Sequence, residues 1–132
     1  MFQQIHNTVA RFLTQPALAN VLFPVARLLI AFIFVKAGFN KLGAGYEGTA
    51  QYMVSMGVPG SLLPLTIALE LGGGLALLVG WQTRLAATLL AGFSLAAGII
   101  FHGGSADSIQ QIMLMKNIGM AGGLLLLALT GA

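Results

Sequence analysis

The sequence predicts an all-α fold: a four-helix transmembrane bundle with an N-terminal interfacial amphipathic helix and a short helix in the first loop. Three observations predict it. Hydrophobic residues make up 58% of the chain and charged residues 7%, against about 25% charged in ordinary soluble domains. Four segments approach the ~20 apolar residues that one helical crossing of a bilayer requires. Inside those segments stand the charged side chains Arg27, Lys36, Glu70 and Lys116. Each costs roughly 2.5–3.5 kcal/mol near the middle of a bilayer, so each is expected to face a polar interior and to have a partner.

The 132 residues suit one membrane domain, 1–132. Before Pro16, the residues Phe2, Ile5, Val9 and Phe12 recur at helical spacing, with Gln3, Gln4, Asn7 and Arg11 elsewhere on the wheel. That pattern reads as a helix lying in the membrane interface. Ala17 and Ala19 precede the long apolar run, the reverse of the order in a cleavable signal, so no secretory signal is expected. The first span is predicted over 21–40, with Pro24 in its first turn. The connection 41–60 is too long for a bare hairpin, and its Thr49–Met56 stretch reads as about two helical turns stopped by Gly57 and Pro59. The second span runs over 61–80, the third over 83–101 after a tight Trp81-Gln82 turn, and the fourth over 111–131. Helices are the open choice, because lipid cannot satisfy free backbone groups and the pattern does not alternate as a barrel strand would.

An even number of spans puts both termini on one side. Arg11 and Arg84 mark that side; Lys41 marks the other, with Lys36 just inside the membrane there. The preference of basic residues for the cytoplasm then places both termini cytoplasmic. For helix packing, small residues recur every four positions on the second span (Ala68, Gly72, Ala76, Gly80), with Gly119 and Gly123 on the fourth and Ala87 and Ala91 on the third. Such stripes let backbones approach closely in lipid, within the bundle or in a homo-oligomer.

Several functions are excluded by composition. Cysteine is absent, which removes disulfides, thiolate catalysis and Cys-held metals. The formal charge is +3 but no basic stripe exists, so nucleic acid is not an expected partner. His102 and Asp107 are too few for a metal site. The lipid bilayer is the expected environment.

The polar residues of the spans form the candidate site. Glu70 falls near the midplane of its span. Lys36 and Lys116 lie toward the outer surface and Arg27 toward the inner, each within about 6–8 Å of Glu70 along the membrane normal at 1.5 Å per residue. An ion-pair network centred on Glu70 is the simplest reading; snorkelling of either lysine to the surface, or a proton on Glu70, are the alternatives. Asn40, Asn117 and His102 gather near the outer level, and His102 either carries protons or caps its helix. Three buried positive charges against one negative invite an anionic or carbonyl-bearing ligand, such as a quinone or phenolate arriving through the lipid.

At these residues the chain resembles the DoxX family of small bacterial four-span membrane proteins. The resemblance rests on Gly38-Phe39-Asn40-Lys41-Leu42, on Gln51-Tyr52-Met53 through Met56-Gly57-Val58-Pro59-Gly60, and on Leu69-Glu70-Leu71-Gly72-Gly73-Gly74-Leu75-Ala76. It continues through Thr83-Arg84, Phe101-His102, Met115-Lys116-Asn117 and the run from Ala121 to Gly131. It implies a location in the bacterial cytoplasmic (inner) membrane and an association with quinone-linked oxidation of sulfur compounds, with oxidative-stress complexes and with responses to aromatic compounds. Kinship of fold does not by itself transfer function.

The resulting expectation is a membrane module that binds a quinone-like or small aromatic molecule and acts with a partner oxidoreductase. Lys36 and Lys116 would hold its oxygens, Glu70 would orient the lysines, and His102 would relay protons. The sequence identifies no cofactor, a quinone being one candidate, and no self-contained catalytic site is recognised. A small transporter or ion-conducting protein, and a structural anchor without ligand, are the competing readings.

Overall fold

A computed structural model describes residues 1–104 and 107–131. The described residues form six α-helices: α1 (Phe2–Leu13), α2 (Pro16–Asn40), α3 (Gly45–Ser55), α4 (Leu63–Val79), α5 (Thr83–His102) and α6 (Ser108–Thr130), with one 3-10 turn at Gly60–Leu62 leading into α4. The four long helices are long and apolar enough to span a membrane, and no strand occurs among the described residues. Their outer faces carry exposed large apolar side chains, among them Leu29, Leu65, Val79, Ile99 and Leu129. Water does not tolerate so continuous an apolar exterior; hydrocarbon does.

The boundaries follow local chemistry. α2 begins at Pro16, a residue preorganised for a first turn, and not at Val21 as the hydropathy suggested. Pro24 therefore lies inside the helix, where its missing N–H removes the bond that would close on the Asn20 carbonyl. α3 is longer than expected and reaches back to Gly45. Beyond it Gly57 adopts a left-handed φ of 81°, and the Val58 amide donates to the Met53 carbonyl to end the helix. α4 stops at Gly80, left-handed with φ 76°, and the next turn passes through Gln82 at φ 49°. The Asp107 carboxylate accepts from the Ile109 amide and caps α6. α1 buries none of its residues and leaves Phe2, Ile5, Val9 and Phe12 uncovered, as an interfacial helix must.

α2 packs on α4, α5 packs on α6, and α4 against α5 joins the two pairs. The core between them holds Ala31, Phe34, Leu77, Ala87, Leu90 and Leu124. Within the spans, the tightest α2–α4 packing occurs at glycines other than those of the predicted stripe. A Cβ on Gly74 would lie 2.9 Å from Val35 Cγ2 and 3.1 Å from the Val35 amide nitrogen, and one on Gly38 would lie 2.8 Å from Leu71 Cγ. Gly98 gives Asn117 similar access to α5. By contrast Gly72 and Gly119 have nothing within 4 Å, and Ala68 is exposed. Ala76 enters the core, Gly123 meets Ile30, and Gly80 serves as the cap of α4. The four-residue stripe therefore twists partly out of the α2–α4 interface, because 3.6 residues per turn carry a four-residue repeat slowly around the helix.

One polar contact ties the α2–α4 pair together. Lys41, the residue after α2, turns its side chain back into the bundle. Its Nζ lies 2.6 Å from Glu70 Oε1, with side-chain exposures of 23% and 5%, and donates to the Ala37 carbonyl at 3.3 Å.

Two outcomes follow from this packing. Gly74→Ile should destabilise the bundle by several kcal/mol in a detergent unfolding titration, since the obstruction is the Val35 backbone, while Gly72→Ile should change it by less than about 0.5 kcal/mol. Lys41→Met should cost on the order of 3 kcal/mol by stranding the Glu70 charge, and the double variant Lys41→Met/Glu70→Leu should recover most of that loss. Additive losses in the double variant would show that the pair is not coupled.

Candidate functional site

The chemistry-bearing residues surround a cavity of about 400 Å³ between α2, α4, α5 and α6, covered by α3. It occupies the half of the bundle opposite the termini. Ile33, Phe34, Phe93, Ile100, Met113 and Met120 supply much of an apolar wall. The α3 cover is fixed by Tyr52, whose ring stacks on Phe101 of α5 at 5.5 Å between centroids and 24° between planes. This places an aromatic pair at the cavity rim, where the short loop helix meets the bundle.

The polar groups are few and differ in state. Glu70, from the middle of α4, faces the cavity already neutralised by Lys41, which lines it too. Ser94, near the middle of α5, is 1% exposed. Its hydroxyl has no hydrogen-bond partner among the described residues, although it lines the same cavity. A helical serine ordinarily donates to the carbonyl one turn back; this one does not. Lys116 lines the wall from α6 and forms no ion pair among the described residues. Asn117 beside it packs over Gly98. His102, at the end of α5, lines the rim with its Nδ1 2.5 Å from Gln110 Oε1. The ionisable groups of the wall are therefore the Lys41–Glu70 pair and Lys116, two basic side chains to one acidic around a largely apolar space.

The structure thus brings together Glu70, His102, Lys116 and Asn117 from the expected set and leaves three members elsewhere. Arg27 lies toward the other end of the bundle, its guanidinium against Gly80 at the end of α4. Lys36 is exposed on the outer face of α2, with Nζ 5.8 Å from the Phe32 ring centroid, a cation–π contact on a snorkelling side chain. Asn40 is exposed at the end of α2. The expected network of Arg27, Lys36 and Lys116 around Glu70 is replaced by a single pair with Lys41. Depth counting treats each residue as a point at the height of its Cα, and Lys41, counted as a loop residue, was assigned to the outer surface. A four-carbon stem can instead reach inward by the length of a full helical turn.

Ser94 carried no distinctive sequence signal, because serine in a transmembrane helix is ordinary; only its burial without a partner distinguishes it. The role of Tyr52 over the cavity depends on where α3 folds. Among the described residues no three His, Asp or Glu side chains converge as a metal cage would require.

Comparison with known proteins agrees with this architecture. The DoxX family model matches residues 22–103, from within α2 to just past α5. Inner membrane protein YqjF of Escherichia coli K12 is 51% identical over 107 residues, which cover 81% of this chain and 82% of the relative. Inner membrane protein YphA of the same organism is 36% identical over 132 residues, covering 95% of this chain and 93% of the relative. No solved structure matches the chain. Two inner-membrane relatives and four helices of spanning length identify a multi-pass protein of the bacterial inner membrane. The family match extends over more than half of the sequence and ends on the helices that build the cavity: this chain belongs to the DoxX family.

Proposed function

We propose that the protein binds a quinone-like or small phenolic molecule in the α3-covered cavity and assists its redox turnover with a partner oxidoreductase in the same membrane. The observation that carries this reading is the Ser94 hydroxyl, sealed from solvent and unpartnered, on the wall of a largely apolar space that the Lys41–Glu70 pair and Lys116 also line. A buried polar group without a partner is costly, and a ligand oxygen is a natural complement. The volume lies within the range of small-molecule pockets, which combine apolar walls with a few polar groups that orient the ligand.

The proposed roles follow from the state of each group. The Ser94 hydroxyl can donate to a carbonyl oxygen or accept from a phenol, and so suits both oxidised and reduced forms of a quinone. The Lys116 ammonium favours an oxygen bearing negative charge. Lys41 takes the role first given to Lys36; its ammonium, held by Glu70, presents an exchangeable proton at the cavity wall. His102 and Gln110 stand at the rim, where protons would pass to the aqueous side. A quinone becomes a quinol by gaining two electrons and two protons; in this reading the electrons come from the partner oxidoreductase.

Two features weigh against a conducting pathway. The fully buried Leu77, Leu90 and Leu124 fill the bundle between the cavity and the end that carries the termini. The charged groups of the cavity are confined to one side of that apolar plug. A pure anchor would leave Ser94 unexplained.

Binding of a short-chain benzoquinone to the detergent-solubilised protein, followed by calorimetry, tests the proposal. Ser94→Ala should weaken it roughly fivefold, the equivalent of a net hydrogen bond of about 1 kcal/mol. Lys116→Met should weaken a phenolate more than its neutral methyl ether, and Lys36→Met should change neither. Failure of the wild-type protein to bind any quinone or phenol would remove the reading, and solute flux in liposomes that is lost in Glu70→Gln would replace it with transport.

A further inference from the structure

The charges of this chain divide unevenly between the two ends of the bundle. Arg11 stands in the last turn of α1. The Arg27 guanidinium lies against Gly80 at the end of α4, and that of Arg84 against Gly131 at the end of α6. All three arginines therefore gather at the end that carries the termini. The acids lie elsewhere: Glu47 on α3, Asp107 at the start of α6, and Glu70 paired with Lys41. With three lysines and three acids in the other half, the formal net charge of +3 belongs to an arginine-only face.

Arg27 also lines a second cavity, of about 250 Å³, with Ala19, Asn20, Phe23, Pro24 and Gly131. Its Nε is buried and has no hydrogen-bond partner among the described residues, and its guanidinium forms no ion pair among them. The negative end of the α4 dipole lies beside it and favours a cation, yet the guanidinium donates no hydrogen bond to a carbonyl there among the described residues. A partly buried arginine with unused donors matches the oxygens of a phosphate, which it can engage through two parallel bonds. Ala19, Phe23 and Pro24 add apolar wall beside the polar Asn20, and Phe23 and Val25 on the same stretch of α2 are exposed on the outer surface.

We propose that this cavity binds the headgroup phosphate of an anionic phospholipid, with Arg27 engaging the phosphate, Asn20 donating to a headgroup oxygen, and the acyl chains running along Phe23. A free phosphate shares the oxygen chemistry but makes no use of the apolar walls or of the opening toward lipid. Basic pockets between transmembrane helices are favoured sites for anionic lipid headgroups on the cytoplasmic side, and the arginine-only face is the side that the positive-inside rule assigns to the cytoplasm. The site is separate from the α3-covered cavity and independent of any ligand there.

Native mass spectrometry of the full chain in an uncharged detergent tests this with three probes: phosphatidylglycerol, phosphatidylcholine and inorganic phosphate. The expected result is preferential retention of phosphatidylglycerol, weakened roughly fivefold or more in Arg27→Gln and unchanged in Arg11→Gln, whose side chain is exposed on α1. Equal retention of phosphatidylcholine, or undiminished phosphatidylglycerol affinity in Arg27→Gln, would overturn the proposal. Competition by millimolar inorganic phosphate as effective as by the lipid would overturn the lipid assignment in favour of a free-anion site. Should Arg27→Gln fail to fold, Asn20→Leu, about two turns earlier on α2, decides the matter: loss of the preference supports the site and full retention overturns it.

Discussion

A carboxylate in the middle of a membrane-spanning helix constrains everything near it. Glu70 is buried at 4% exposure, and its short side chain cannot reach the surface. Lys41 resolves this by folding back from the end of α2 to within 2.6 Å. That reach requires α2 and α4 to lie close together, which Gly38 and Gly74 permit by removing the side chains that would hold the backbones apart. The pair also draws the start of the α2–α3 connection over the bundle, and α3 then lies across the cavity with Tyr52 stacked on Phe101. The cover of the cavity, its single neutralised acid and the close helix contact are thus linked features. Removing either charge leaves the other stranded at low dielectric, which is the costly case.

The bundle is divided by polarity along its length. One half encloses a space with a hydroxyl, an ion pair and a further cation on an apolar wall. The other is filled by fully buried leucines and ends in arginines with no acid among them. In hydrocarbon the apolar effect does not drive helices together, so the leucine-filled half depends on tight van der Waals fit and on glycines at the contacts. A bundle held in this way can leave a void in its other half, because the filled half and the ion pair maintain the helix positions around it. Membership of the DoxX family and likeness to two inner-membrane proteins agree with the architecture, while the chemistry of the cavity has to be argued from its own residues.

The four spans were legible because hydropathy is a property of composition and a helix in lipid leaves the chain few alternatives. Glu70, Lys116, Asn117 and His102 were legible as candidates because polar residues in such spans are expensive and therefore conspicuous. The packing stripe was less so. Its four-residue spacing was real, yet Gly72 and Gly119 face away from any neighbour while Gly74 and Gly38 make the contacts. Spacing names a face of a helix; it does not say which partner that face meets, or whether it meets lipid.

By itself the sequence determined that this is a membrane bundle, where its helices run, and that a lone acid deep in one of them needs a cation or a proton. Only the tertiary structure decided which cation, and it chose Lys41 over Arg27, Lys36 and Lys116. It alone showed that Ser94 is buried without a partner beside that pair, and that Arg27 belongs to a different surface. The reason is geometric. Height in the membrane can be counted along a chain at 1.5 Å per residue, but the rotation of each helix about its axis and the direction of a flexible side chain are set by neighbours far away in sequence.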